Sequence, residues 1–306
     1  MRGRCLACLL ALSAAFAPAS ADDAPDRPFI ERTLVVAPLA VGDFVLEGTR
    51  YDPGHKFAGV AIRYFLPGHE EARIDLFVYP HGRSDGEEAL DRGMRDFRAT
   101  LEAAEQAGYY RGLTVADAVE FDVPLPSAPA DAPDPAAAPP AEPDPDEARR
   151  IAMLSELLGE DRHVDGRMIE MAYEYPGQAE GEWWPMRSRG YLLYRHLYFF
   201  KGRVSAAESR IDAAEFAALA DRAMRALVPA VQAYNIASCG DATITIDSTL
   251  PPDEIADTFM RQLVAAQTRS EASNCHAAPD PAELAALAKD AEVVAIEYAP
   301  DDWRDE

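Results

Sequence analysis

The chain has 306 residues, and its 53 acidic residues against 29 Lys and Arg give a formal net charge of −24 at pH 7. A chain with this charge repels phosphate backbones and anionic membrane surfaces. We therefore do not expect it to bind nucleic acid. No apolar run after residue 21 is long enough to predict a membrane-spanning helix.

Residues 1–21 have the pattern of a cleaved secretory signal peptide. Arg2 and Arg4 form a basic start, an apolar stretch too short to span a bilayer follows, and Ala19–Ala21 is a small-residue cleavage site. Cleavage removes two arginines and no acids, so the mature chain carries 27 basic and 53 acidic residues, a net charge of −26. We therefore expect a periplasmic or secreted protein that begins at Asp22.

Only two of the four cysteines, Cys239 and Cys275, follow the predicted cleavage site. In an exported protein such a pair indicates one disulfide, and two free buried thiols are the alternative. The pair and His276 lack CxxC spacing and a fourth ligand, so no metal site is predicted there. The sequence indicates no cofactor.

The clearest early element is a hairpin over residues 57–65 and 72–79. Apolar residues alternate in both segments, and the connector 66–71 has turn chemistry. Pairing about His69 places Arg63 opposite Asp75 and Ile62 opposite Leu76, so one register turns the apolar side chains inward and the charged pair outward.

A long helix is predicted over Ser84–Gly108, with Ser84 and Glu87 as a capping box and Gly108 as its end. Its buried stripe has helical spacing and consists of Leu90, Met94, Phe97, Leu101 and Ala104. Strand character follows over 109–123.

The segment Gly82–Gly86 also matches G-x-S-x-G between a strand and a helix, the pattern of a nucleophile elbow. Ser84 is therefore either the nucleophile of a serine hydrolase or a helix cap. The capping role is favoured, because Asp85, Glu87 and Glu88 would place carboxylates beside the N–H groups that an oxyanion needs.

Residues 124–145 are nearly all Pro, Ala and acidic residues, without a basic or an aromatic side chain. Such a composition cannot bury a core and predicts an extended, solvated insertion within one domain. A strand over 167–175 and a loop over 176–185, which carries Trp183 and Trp184, follow it.

The stretch Gly190–Arg210 holds the densest apolar run and predicts a central strand that is covered on both faces. Its turn is predicted at Lys201–Gly202, with the glycine supplying a positive φ. Asp212 then begins a helix that Pro229 ends. The predicted buried side of that helix comprises Phe216, Leu219, Ala220, Ala223 and Leu227.

The fold class is predicted to be α+β, an antiparallel β-sheet with helices packed against it, plus a small α/β C-terminal lobe tied by the disulfide. The signal peptide covers 1–21, the sheet domain 29–231 with its insertion at 124–145, and the lobe 236–300. Within the lobe, a strand over 241–247, a helix through Phe259 and a last strand over 292–298 are expected.

The order of elements over residues 44–228 resembles the Mog1/PsbP-like fold. The resemblance implies an antiparallel sheet with packed helices, and binding or accessory roles as that fold class has them. The insertion and the cysteine-bearing tail depart from the pattern.

The best binding candidates are Trp183 and Trp184 with nearby Arg187. Adjacent tryptophans point in different directions, so one can pack while the other stays available to a partner. The alternative is a loop that folds back on the core.

The six histidines show no metal-ligand spacing. We expect a non-enzymatic binding or accessory protein of the bacterial cell envelope, for an unknown protein or small-molecule ligand; the alternative is a serine hydrolase using Ser84.

Overall fold

The computed structural model describes residues 30–125, 163–177, 179 and 181–236, and in the C-terminal part residues 251, 254–255, 258–263, 273–276, 278–299 and 302. The predicted signal peptide, nearly all of the insertion, the strand expected over 241–247 and Cys239 lie outside these residues. The Cys239–Cys275 disulfide therefore stays a prediction.

The described strands pair antiparallel, apart from the parallel pair of the two strands at Gln232–Ile236 and Cys275–His276, and they lie beside helices, which confirms the α+β class. Residues 258–263 are also helical, as expected for the helix through Phe259. The strands, in chain order, are β1 (Arg32–Pro38), β2 (Ala40–Val41), β3 (Phe44–Tyr51), β4 (Val60–Phe65), β5 (Arg73–Pro80), β6 (Arg111–Val115), β7 (Val119–Glu120), β8 (Val123–Pro124), β9 (His163–Val164), β10 (Gly166–Pro176), β11 (Trp183–Arg195), β12 (Tyr198–Ala207), β13 (Gln232–Ile236), β14 (Cys275–His276) and β15 (Ala291–Glu297). The α-helices with described bounds are α1 (Gly86–Gln106), α2 (Ala213–Ala230) and α3 (Pro281–Leu287), and Pro53–Ala58 forms a 3-10 helix.

The main sheet has the strand order β2-β3-β4-β5-β12-β11-β10-β6, and β7 also pairs with β10. Its first hairpin has the predicted register, Arg63 opposite Asp75 and Ile62 opposite Leu76. The charged pair closes at 2.8 Å between Arg63 Nε and Asp75 Oδ1, while Ile62 and Leu76 are buried. The alternation of apolar residues was therefore sufficient to predict this register.

The long central hairpin corrects the predicted turn. Its two turn residues are His196 and Leu197, which have φ of 55° and 72°, and Gly202 lies within β12 opposite Tyr191. Positive φ at both central residues is the requirement of a type I′ turn, and neither residue is the glycine or asparagine that normally marks one. Gly202 serves packing instead, because a Cβ there would overlap the Met224 sulfur of α2.

Of the N-terminal caps predicted for the two long helices, one is wrong and one is confirmed. Asp85, not Ser84, caps α1 by accepting from the backbone N–H of Glu87 and Glu88. The capping box was predicted one residue too early. The aspartate at the next position is also a strong N-cap residue, and its carboxylate takes that role. Asp212 caps α2 as predicted, although Pro229 lies inside its last turn. The predicted stripes are buried apart from Ala104, which is partly buried.

The second sheet has the order β14-β13-β1-β15 and gives no support to a separate C-terminal lobe. The last strand, β15, pairs along β1 near the start of the described chain. The Glu292 carboxylate of β15 accepts from the backbone N–H and hydroxyl of Thr49 in β3, at 2.9 and 2.6 Å. Ile296 and Tyr298 also belong to the same apolar core as the main sheet. Segments that are far apart in the sequence are thus packed together.

The main sheet is covered on both faces. Side chains on one face, which we call the α2 face, pack under α2 and include Tyr191, Leu193 and Phe200. Side chains on the other, the α1 face, pack under α1 and include Leu192 and Phe199. Because side chains alternate along a strand, neighbours in sequence belong to opposite faces. This alternation decides which of the candidate residues can meet.

Candidate functional site

A cleft of about 480 Å³ opens on the α1 face, between α1 and strands β5, β12, β11 and β10. Its walls are mainly aromatic, and their rings belong to Phe77, Phe97, Tyr109, Tyr110, Tyr173 and Tyr175. Two cations from β12, Lys201 and Arg203, also line it. They stand two residues apart on one strand and therefore share the cleft face. We call this site the aromatic cleft.

Lys201 is held among rings rather than beside carboxylates. Its ammonium lies 5.4, 5.6 and 5.0 Å from the ring centroids of Phe77, Tyr79 and Phe97. It makes no ion pair with any residue that the structure describes. Burial, and secondarily the charge of Arg203, lowers the pKa of Lys201 below its ordinary value of 10.5. An anion beside this ammonium would relieve both effects.

Arg203 is positioned by its neighbours and yet has no acidic partner in the described part of the chain. Its Nε donates to the Ser188 hydroxyl at 3.3 Å, and its guanidinium lies 5.3 Å from the Tyr173 ring centroid. Ser188 is fixed in turn by a 2.8 Å hydrogen bond with Ser205 and a 2.9 Å bond to the Val204 carbonyl. Only Nε is used in these contacts, so the terminal nitrogens remain for an oxyanion.

Among the described residues that line the cleft, two are carboxylates, Asp75 and Glu71. Asp75 accepts from Arg63 at 2.8 Å and from Arg73 at 2.5 Å, so two arginines already compensate it. Glu71 lies beside His69, 3.3 Å from its Nδ1. The described lining thus carries three cations, Arg73, Lys201 and Arg203, against two carboxylates, which is a local reversal of sign in a chain with a net charge of −24.

Exposed aromatic side chains extend the cleft at its mouth. Tyr109 is 68% exposed and Tyr175 is 49% exposed. Trp184 is 40% exposed and stands directly opposite Tyr175 in the β10–β11 register, so it shares the α1 face. Rings that line an entrance give an apolar or planar ligand a surface on which to stack.

The three predicted binding residues do not form one site. Trp183 and Trp184 open β11 instead of lying in a loop, and alternation sends them to opposite faces. Trp184 lies beside the aromatic cleft, whereas Trp183 packs against Arg111, whose guanidinium is 4.2 Å from a Trp183 ring centroid. Arg187 lies on the α2 face. Sequence reasoning missed Lys201 and Arg203, although a lysine inside an apolar strand, one of only three in the chain, was a usable signal.

Ser84 lies in the loop before α1, but no catalytic group meets its hydroxyl among the described residues. Its backbone N–H donates to the Tyr194 hydroxyl at 3.3 Å, and that hydroxyl donates to the Gly82 carbonyl at 2.6 Å. The nearest helix N–H groups are occupied by the Asp85 carboxylate. A serine nucleophile needs a base within hydrogen-bonding reach, so this geometry gives the hydrolase hypothesis no support.

Within the described residues, no three His, Cys, Asp or Glu side chains come together as metal ligands do. The same part of the chain contains no helix with the length and apolarity needed to cross a bilayer. No family model, curated protein or solved structure matches this chain. The resemblance to the Mog1/PsbP-like fold therefore stays a prediction.

Proposed function

We propose that this protein is an exported, non-enzymatic binding protein of the bacterial cell envelope, and that the aromatic cleft holds a small amphipathic anion. The observation that carries the proposal is the pair Lys201 and Arg203, two cations that lie among aromatic rings and form no ion pair with any residue the structure describes. An anion would supply the missing charges, and its apolar body would contact the rings.

The residues of the cleft suit binding better than proton transfer. A guanidinium is a poor proton donor or acceptor, and the described residues that line the cleft include no histidine. A fixed guanidinium and a nearby ammonium orient and hold a ligand, because their donors converge on one point. Stacking rings then add affinity without requiring a specific chemical reaction.

The test uses the aromatic sulfonate 8-anilinonaphthalene-1-sulfonate as the probe, with its fluorescence as the readout. We expect saturable binding to the wild type and at least a ~10-fold weaker affinity for the double variant Lys201→Met/Arg203→Met, since each charged hydrogen bond contributes about 1.5–3 kcal/mol. Lys289→Met, at an exposed lysine outside the cleft, is the matched control and should bind as the wild type does.

A neutral analogue without the sulfonate, N-phenyl-1-naphthylamine, separates charge recognition from simple apolar contact. The double variant should lose affinity for the sulfonate and keep most of its affinity for the neutral analogue. Equal losses of both, or wild-type sulfonate binding by the double variant, would refute the anion site.

The affinity for the sulfonate should also fall as pH rises. The pKa of Lys201 is lowered from its ordinary value of 10.5, chiefly by burial. As pH rises, the ammonium is therefore neutralised earlier than an ordinary lysine would be, and its attraction for the anion is then lost. Lys201→Arg keeps its charge, so its affinity should stay flat across the same range. A titration of binding against pH for both proteins checks this, and parallel curves would contradict it.

Export is supported by the residue pattern of positions 1–21 and the disulfide by the even cysteine pair that follows. The intact mass of protein recovered from the envelope tests both: we expect a chain that begins at Asp22 and has lost two hydrogens through the Cys239–Cys275 bond. A mass that includes Met1, or two alkylatable thiols, would contradict these parts of the proposal.

The alternative hydrolase function rests only on the G-x-S-x-G string at Gly82–Gly86. Labelling by a fluorophosphonate probe that disappears in Ser84→Ala would favour it over the binding function.

A further inference from the structure

Arg187 and Arg189 lie two residues apart on the α2 face of β11, and of the two only Arg189 forms an ion pair with a described residue. Arg189 Nη1 donates to Asp221 of α2 at 2.9 Å, and Arg189 also pairs with Glu170, its cross-strand neighbour in β10. Arg187 has alanines as both cross-strand neighbours, Ala172 and Ala206. Arg189 therefore has a carboxylate opposite it in the sheet, whereas Arg187 has only small apolar side chains.

Arg187 has buried donors without acceptors. Its Nε and Nη1 are shielded from solvent and have no hydrogen-bond partner in the described part of the chain. The pKa of the nearby Asp212 carboxyl is lowered mainly by the Glu215 backbone N–H, and also by the charge of Arg187. However, Asp212 uses its carboxylate to cap α2. Buried donors of a charged group rarely remain unpaired, because they have lost water and gained nothing in exchange.

Arg187 also lines a cavity of about 490 Å³ between α2 and strands β6, β10 and β11. Much of its remaining wall is apolar, including Val115, Met171 and Phe216. The cavity lies on the opposite face of the sheet from the aromatic cleft, so the two sites share no binding surface.

We propose that this cavity is a second binding site, for a small monocarboxylate with an apolar body, and that Arg187 is its anchor. A carboxylate entering the cavity gives the guanidinium its missing acceptor, while the apolar wall takes up the rest of the ligand. A dianion suits the site less well, because the carboxylates of Glu170 and Glu208 also line the cavity and would repel a second negative charge.

The experiment uses benzoate as the probe, at constant ionic strength, in the background Lys201→Met/Arg203→Met. That background removes the aromatic cleft as an anion site, so the result does not depend on the proposed function. We expect the melting temperature to rise with benzoate concentration, and calorimetry to give a single saturable site. Chloride and phosphate at the same ionic strength should produce no such rise.

Adding Arg187→Met should weaken benzoate binding at least ~10-fold, since the charged partner is lost. Without benzoate, this variant should be as stable as its background, because the substitution removes unpaired donors and keeps an apolar stem. If Arg187→Met does not fold, Arg187→Lys serves instead: an ammonium lacks the planar fork, so affinity should again fall. Benzoate binding that is absent, or unchanged in a folded Arg187 variant, overturns the proposal.

Discussion

Replacing Gly59 with alanine should destabilise the protein more than any other glycine-to-alanine change on the main sheet. Gly59 leads into β4 with φ of 70°, which an L-residue rarely adopts. A Cβ there would also overlap the Val78 carbonyl oxygen and lie 2.6 Å from the Tyr79 Cα, so it meets backbone of β5 and not a side chain that can move. We expect a loss of about 3–5 kcal/mol, from backbone strain together with overpacking.

The matched control for Gly59→Ala is Gly68→Ala in the turn of the same hairpin. Gly68 has φ of 87° but nothing within 4 Å of its Cβ position, so it carries the strain without the clash. Its substitution should cost only about 1–2 kcal/mol. Urea unfolding of both variants, followed by far-UV circular dichroism, measures the difference. Equal losses for the two variants would contradict the prediction, because they would mean that the added Cβ at Gly59 does not clash with the backbone of β5.

Asn235→Ala should produce the second large loss, because this buried side chain connects three segments. Its Oδ1 accepts from the Thr33 hydroxyl of β1 at 2.6 Å, and its Nδ2 donates to the Ser273 carbonyl at 2.6 Å and to the His196 carbonyl at 3.2 Å. The substitution leaves several buried groups unpaired, at about 1–3 kcal/mol for each. We expect about 3 kcal/mol in total, since partial rearrangement recovers some of it.

A double-mutant cycle with Thr33→Val shows whether the loss comes from this network. Thr33 and Asn235 are both fully buried and share one hydrogen bond, so their effects should couple by about 1–2 kcal/mol. The free energy of unfolding of the two single variants and the double variant provides the measurement. Additive effects would mean that Asn235 acts through packing alone.

Both variants also report on how the C-terminal part is held. Asn235 joins the turn of the central hairpin to β1 and to the region of Ser273, and the Tyr198 hydroxyl donates to Thr33 at 2.7 Å beside Tyr298. These bonds cross the boundary that the sequence placed between a sheet domain and a tail. Asn235→Ala should therefore lower the melting temperature of the whole protein in one cooperative transition, as expected for a shared core.

Features that depend on the spacing of apolar residues along the chain could be predicted from the sequence alone. Alternating apolar residues gave the register of β4 and β5, down to Arg63 opposite Asp75. Spacing of three and four residues gave the buried faces of α1 and α2, and Asp212 marked the start of α2. These features follow from the geometry of strands and helices, which fixes the side-chain directions over a few residues. They can be predicted without knowing which segment packs against the element.

Which side chains come into contact depends on the packing of distant segments and could not be predicted from spacing. Gly202 looked like a turn residue but is small because Met224 packs against it, and the real turn at His196–Leu197 carries no turn-forming residue type. Lys201 and Arg203 become a site only because α1 and the rings of β5 and β10 converge on them. Trp183, Trp184 and Arg187 are near in sequence, yet the pleat separates Trp184 from the other two. Contacts between distant segments depend on which face each side chain takes, and a shift of one residue in a strand or turn reverses that face.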